Sequence, residues 1–197
     1  MHLASPYAPG REIARGGMGA VIDARDNKLG RSVAMKVMLQ PGAGEAQRRR
    51  FLQEARVLAS QAHPNIVPVY DLGTDSQGRP FYTMKLVQGV TLDQVIVKLR
   101  AGDKDAVKRY PLNALLIIFE KACDAVAFAH SRGIIHRDLK PQNVMVGEFG
   151  EVMVMDWGLA KALPGNPAAE VTDFLPLAPI STDQPSPCPP SRTTPQE

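Results

Sequence analysis

The sequence predicts an α+β fold: a five-stranded antiparallel sheet carrying one helix, followed by a mainly helical region. Three observations predict it. Short runs rich in β-branched and alternating apolar residues, punctuated by glycine, fill residues 7–85 apart from one charged stretch of strong helix formers. Beyond Gly89 the apolar pattern lengthens into helical runs, the longest from Leu112 to Ala129. After Leu163 the composition breaks, since residues 164–197 hold nine of the seventeen prolines and a single basic residue, Arg192.

Taken in order, an edge strand is expected near Tyr7–Ala14 and two more over Ala20–Ala24 and Ser32–Met38, the first pair joined through glycines. A helix follows from about Glu45 to Gln61. It has to stop before Pro64, because the residue ahead of a proline avoids helical backbone angles. Strands at Val67–Gly73 and Pro80–Lys85 complete the sheet. Thr91 then suits the cap of a helix running to Arg100, a charged loop leads to Arg109, and Pro111 opens a long helix. From Leu112 to Ala129 only Asn113, Glu120, Lys121 and Asp124 are strongly polar, so other elements have to enclose that helix. The expected divisions are 1–87, 88–163 and a Pro-rich tail, 164–197, expected to be disordered because it has few apolar groups to offset the entropy of ordering.

Composition sets class rather than function. With 44% hydrophobic and 22% charged residues the chain is ordinary for a globular protein, and a net charge of +3 is too small to argue for a nucleic-acid partner. Cys123, inside the long apolar run, and Cys188, in the tail, form neither a disulfide framework nor a metal cluster, which fits a reducing, cytoplasmic setting. The segment Met1–Pro6 lacks the charged and apolar parts of a secretion signal, and the apolar stretch Leu112–Phe119 is too short to span a bilayer. Neither secretion nor membrane insertion is expected.

Several residues carry chemistry. In Ala14-Arg15-Gly16-Gly17-Met18-Gly19-Ala20-Val21 the missing side chains would let backbone N–H groups approach phosphate oxygens, and the segment alone is equally open to reading as a plain hairpin turn. Lys36 stands between apolar neighbours in Val33-Ala34-Met35-Lys36, where a partly desolvated ammonium needs a counter-charge. Glu54 shares a helical face with Phe51 and Leu58 and can supply it. His136-Arg137-Asp138-Leu139-Lys140-Pro141-Gln142-Asn143 places a carboxylate, an ammonium and an amide on one short segment, and Asp156-Trp157-Gly158 begins eighteen residues after Asp138.

In this order and spacing the features resemble the protein kinase family, in particular the bacterial, eukaryotic-like Ser/Thr kinases. The resemblance covers roughly Tyr7 to Lys161 and implies a protein-kinase-like fold, with a complete small lobe over 1–87 and a partial helical large lobe over 88–163. It implies ATP and Mg²⁺ as cofactors and a protein Ser or Thr hydroxyl as acceptor. Asp138 would accept or orient the hydroxyl, Lys140 would sit beside the transferred phosphate, and Asn143 and Asp156 would hold Mg²⁺. Nucleotide contacts are implied for Ala14, Gly16, Gly19, Val21, Ala34, Lys36, Glu54, Met84, Leu86 and Met145. Ala14 stands where the family has its first loop glycine, Lys85 where it usually has an acidic hinge residue, and Trp157 where it usually has phenylalanine. Leu58, Val69, His136 and Trp157 are expected to stack, giving His136 a structural role. Arg48-Arg49-Arg50 reads as a solvated helix face, with a phosphorylated segment meeting these arginines and Arg137 as the lesser reading.

Past Lys161 the resemblance to the family is expected to end, with no activation segment or Ala-Pro-Glu-type anchor expected after it. A frameshift, a premature stop or a misplaced gene boundary would each produce that break. The long helix is then expected to keep part of its apolar surface wet, with Leu115, Leu116, Ile118, Phe119, Val126 and Phe128 competing for cover, and the chain to be inactive or nearly so. Two other readings come from different classes. One is a nucleotide-binding or interaction module that resembles a pseudokinase fragment. The other, a dinucleotide-binding domain, fails because its glycine fingerprint should open a helix, whereas here it leads into a strand.

Overall fold

The computed structural model describes residues 6–16, 19–39 and 44–163. The expectation for residues 164–197 and the loop positions Gly17 and Met18 lie outside them. Five strands, β1 (Tyr7–Gly16), β2 (Gly19–Asp26), β3 (Arg31–Val37), β4 (Val69–Thr74) and β5 (Pro80–Lys85), form one antiparallel sheet in the order β1-β2-β3-β5-β4. Helix α1 (Glu45–Ala59) packs on β4 and β5 through Phe51, Glu54, Ala55 and Leu58, the buried stripe of a helix with 3.6 residues per turn.

Alternation along β3 decides which side chains meet which layer. Val33, Met35 and Val37 join Tyr7, Ala24 and Phe81 on the outer face of the sheet, while Ala34 and Lys36 point to the face that α1 covers. On the α1 side, Phe51, Ala55, Leu58, Tyr82 and Met84 are continuous with Ile66, Val67, Ala125, Ile134, Val154 and Trp157, so a single core joins the sheet to the helical part. A backbone bond from Val154 N–H to the Asn65 carbonyl at 2.8 Å, and one from the Asn65 side chain to the Val152 carbonyl at 2.9 Å, fasten the same junction.

The helical part contains α2 (Leu92–Arg100), α3 (Lys104–Arg109) and α4 (Leu112–Ser131). Thr91 caps α2, its hydroxyl accepting from Gln94 N–H while the Gln94 amide oxygen accepts from Thr91 N–H, a reciprocal box that defines the start of the helix. The charged loop expected before Arg109 is instead α3. The Asp103 carboxylate accepts from Ala106 N–H at 2.8 Å, which caps a single turn and a half, and buried Ala106 docks it. Short strands too brief to show alternation also appear: β6 (Gly89–Thr91), β7 (Ile134–Ile135), β8 (Val144–Gly147), β9 (Val152–Val154) and β10 (Lys161–Ala162). They pair as β6-β8-β9 and β7-β10 and so frame the segment that contains Asp138.

Helix α4 buries Ile118, Ala122, Ala125 and Ala129. Its opposite face leaves Leu112, Leu116, Ile117 and Phe119 in water, whereas Leu115, Val126 and Phe128 are half-buried. Wet apolar surface was expected on this helix, but Ile118 is covered, and Leu112 and Ile117 belong to the exposed set. Among the described residues no helix is long and apolar enough to cross a membrane.

Candidate active site

The site lies where β1 and β2 overhang the junction between the sheet and the segment after β9. Gly16 pairs with Gly19 at the β1–β2 turn, and Ala14 with Val21. A Cβ on Gly19 would collide with the Val37 carbonyl oxygen, so only glycine lets β2 begin this close to the end of β3. A Cβ on Gly16 would meet nothing within 4 Å, and Gly16 lines the space beneath the turn.

Below the turn is a cavity of about 300 Å³ lined by Ala14, Arg15, Gly16, Gly19, Val21, Lys36, Glu54, Leu58, Val67, Tyr82, Met84, Met155 and Asp156. Lys36 Nζ donates to both carboxylate oxygens of Glu54, at 2.6 and 2.8 Å, and lies 4.0 Å from Asp156 Oδ1. Glu54 is buried, so its charge is held by partners rather than by water. Tyr82 O–H also donates to Glu54 Oε1, at 2.9 Å. Burial first, and the Glu54 charge second, raise the Tyr82 hydroxyl well above its ordinary pKa. Asp156 has φ 54, a left-handed backbone that few non-glycine residues adopt, and its half-exposed side chain opens toward the cavity.

A second group of polar atoms adjoins the first. Lys140 Nζ donates to Asp138 Oδ2 at 2.7 Å, and Asn143 Nδ2 donates to the same oxygen at 3.2 Å and to the Asp138 carbonyl at 2.8 Å. The Lys140 ammonium holds the Asp138 carboxyl below its usual range, and Asp138 in turn raises Lys140. Met155 N–H donates to the Asn143 carbonyl at 2.8 Å, which ties this segment to the residue preceding Asp156.

His136 supports both groups. A backbone carbonyl can only accept and a backbone N–H can only donate, so the bonds to the Met155 carbonyl at 3.0 Å and from Asp138 N–H at 3.2 Å put the ring proton on Nε2. Its ring lies 4.5 Å from that of Trp157, which shares a core with Leu58, and Val69 packs against that core.

Of the residues expected around a nucleotide, Ala14, Gly16, Gly19, Val21, Lys36, Glu54 and Met84 line the cavity together with Asp156. Ala34, Leu86 and Met145 do not: Ala34 is packed in the core of β3, Leu86 is half-buried after β5, and Met145 is half-buried in β8. Sequence reasoning missed Val67, Tyr82 and Met155 as lining residues. Val67 and Met155 sit in irregular segments whose direction no periodicity reports, and Tyr82 reads as an ordinary strand aromatic. Arg50, Arg137 and Lys161 meet around a separate cavity of about 470 Å³, while Arg49 faces water.

The protein kinase domain family matches residues 7–175. The serine/threonine-protein kinase PknD of Protochlamydia amoebophila is 39% identical over 171 residues, covering 84% of this chain and 17% of that protein. The kinase of the same name from Chlamydia trachomatis is 40% identical over 154 residues, 76% of this chain and 16% of its own length, and that of Chlamydia felis matches to the same extent. The chain therefore spans less than a fifth of the curated relatives it matches. Because the family match starts at the first residue of β1 and covers well over half of the sequence, the chain belongs to the protein kinase family, with serine/threonine kinases as its relatives.

Proposed function

We propose that the chain binds Mg·ATP under the β1–β2 turn and that its Asp138 segment serves transfer of the γ-phosphoryl group to a Ser or Thr hydroxyl of a protein, in the cytoplasm. In this reading residues 1–87 are the nucleotide-covering lobe and 88–163 carry the acceptor side. The observation that carries it is the Lys36 ammonium held at 2.6 Å from buried Glu54 with Asp156 at 4.0 Å, a cation braced from behind and facing a cavity roofed by glycine backbone. Phosphoryl transfer relies mostly on positioning and on neutralising charge, and this arrangement supplies both.

The donor set suits Mg²⁺, a hard cation that prefers oxygen. The Asp156 carboxylate is half-exposed at the cavity, and Asn143 uses its Nδ2 on Asp138, which leaves the amide oxygen as its free donor. Among the described residues no group of three or more His, Cys, Asp or Glu could hold a metal, so nucleotide phosphates and water would complete the shell. Bound there, the cation would offset charge on the phosphates.

In the transfer step the acceptor oxygen forms a bond to Pγ as the bond from Pγ to the β–γ bridging oxygen breaks, and the hydroxyl proton passes to Asp138. A carboxylate held below its usual range by Lys140 is a weak base, which suits a loose transition state in which the proton leaves late. Turnover by this chain is proposed to be slow, because α4 leaves four large apolar side chains wet and each forgoes about 1.5–3 kcal/mol of burial that would hold the acceptor side together. The test is thermal melting of the full chain with and without Mg·ATP, alongside transfer of labelled phosphate to a protein acceptor. A shift that Lys36→Ala abolishes is expected, and no shift would sink the reading. A shift without any transfer would favour a nucleotide-binding module.

A further inference from the structure

We propose that Tyr82 is a positioning residue of the nucleotide site, its hydroxyl locking Glu54, and with it α1, in the place where Glu54 meets Lys36; the proposal rests on the kinase reading above. Tyr82 is 1% exposed and pairs directly with Lys36 across β3 and β5. It touches α1 at two points one turn apart: its ring lies 5.4 Å from that of Phe51, and its hydroxyl is 2.9 Å from Glu54 Oε1.

The way the Glu54 oxygens are shared shows what the hydroxyl adds. Oε1 accepts from Lys36 at 2.6 Å and from Tyr82, while Oε2 accepts from Lys36 at 2.8 Å and, among the described residues, from no other donor. An ammonium has three N–H groups, and two already point at Glu54. A phosphate arriving in the cavity draws on the same ammonium. Any donor that Lys36 moves to the phosphate is withdrawn from a carboxylate that is only 2% exposed. Tyr82 keeps Oε1 bonded through that exchange, so Lys36 can turn toward the nucleotide without α1 swinging away. The phenol remains a donor throughout, since desolvation keeps it protonated. The seat of α1 is thereby set from inside the sheet, and a signal that displaces α1 has to break this bond.

The experiment compares Mg·ADP affinity by titration calorimetry for the full chain, Tyr82→Phe, Glu54→Gln and the double variant, well below their melting temperatures. Phenylalanine keeps the ring contact with Phe51 and removes the hydroxyl alone. Tyr82→Phe is expected to weaken binding about fivefold, within the range set by one ordinary hydrogen bond, and to add less than about twofold in the Glu54→Gln background. A role in packing alone would lower the melting temperature and leave affinity unchanged, or give equal losses in both backgrounds, and either result overturns the proposal. If the unsubstituted chain binds no Mg·ADP, the kinase reading fails and this one with it. Binding of equal strength in the unsubstituted chain and Tyr82→Phe removes the Tyr82 role and leaves the kinase reading standing.

Discussion

Lys36 Nζ donates to both oxygens of Glu54, at 2.6 and 2.8 Å, across the interface between β3 and α1. Lys36 is largely buried and Glu54 almost fully so, which makes each the main compensation for the other's lost hydration. Removing one partner should therefore cost more than removing both. Lys36→Met is expected to destabilise the chain by about 3 kcal/mol or more, and Lys36→Met with Glu54→Leu by less than the single change. Urea unfolding curves of the two variants check the order.

The Asp138 carboxyl should titrate below an ordinary aspartate, because the Lys140 ammonium stabilises its charged form. A depressed folded-state value means that the stabilisation is present above the unfolded-state pKa and is lost as pH falls through the folded value. Lys140→Ala should return Asp138 toward the usual carboxylate range and move the acid end of any transfer profile to higher pH. Carbon-13 titration of labelled aspartate measures the first effect without requiring activity.

Substitutions on the two faces of α4 should differ sharply. Ile118 is buried with Val144, Val146 and Val152, and Ile118→Ala is expected to cost about 2–4 kcal/mol. Phe119, 66% exposed on the neighbouring face, should tolerate Phe119→Glu within about 0.5 kcal/mol while self-association falls. Denaturation curves and sedimentation at several concentrations separate the two effects.

Trp157 is the sole tryptophan and is 1% exposed, so its emission reports directly on the core that joins sheet and helices. Emission should be blue-shifted in the folded chain and move to the red in one step with unfolding. Trp157→Phe keeps an aromatic against His136 and gives up the bond from its Nε1 to the Val154 carbonyl, at an expected cost of about 1–3 kcal/mol, whereas Trp157→Ala should cost about 3–5 kcal/mol.

Much of the sheet was legible because alternation is a local property. Val33, Met35 and Val37 against Ala34 and Lys36 identify both the strand and its two faces. Helix α1 was legible for the same reason at a period of 3.6, and Thr91 marked the start of α2. Helix α3 was not, since six residues are too few to show a stripe, although Asp103 ahead of Ala106 was the available signal. The strands β6 to β10 are two to four residues long and exist through their pairings rather than their own preferences.

Residue types and spacing along the chain determined the family, the sheet and the residues with the right chemistry, because those depend on short-range pattern and on which functional groups are present. Only the tertiary structure decided which of them share a space. It brought Val67, Tyr82 and Met155 to the cavity beside Lys36, and it gave Glu54 two donors rather than one. The reason is that desolvation and hydrogen bonding at a buried carboxylate depend on distances between segments far apart in sequence, and those distances arise only when α1 closes on the sheet.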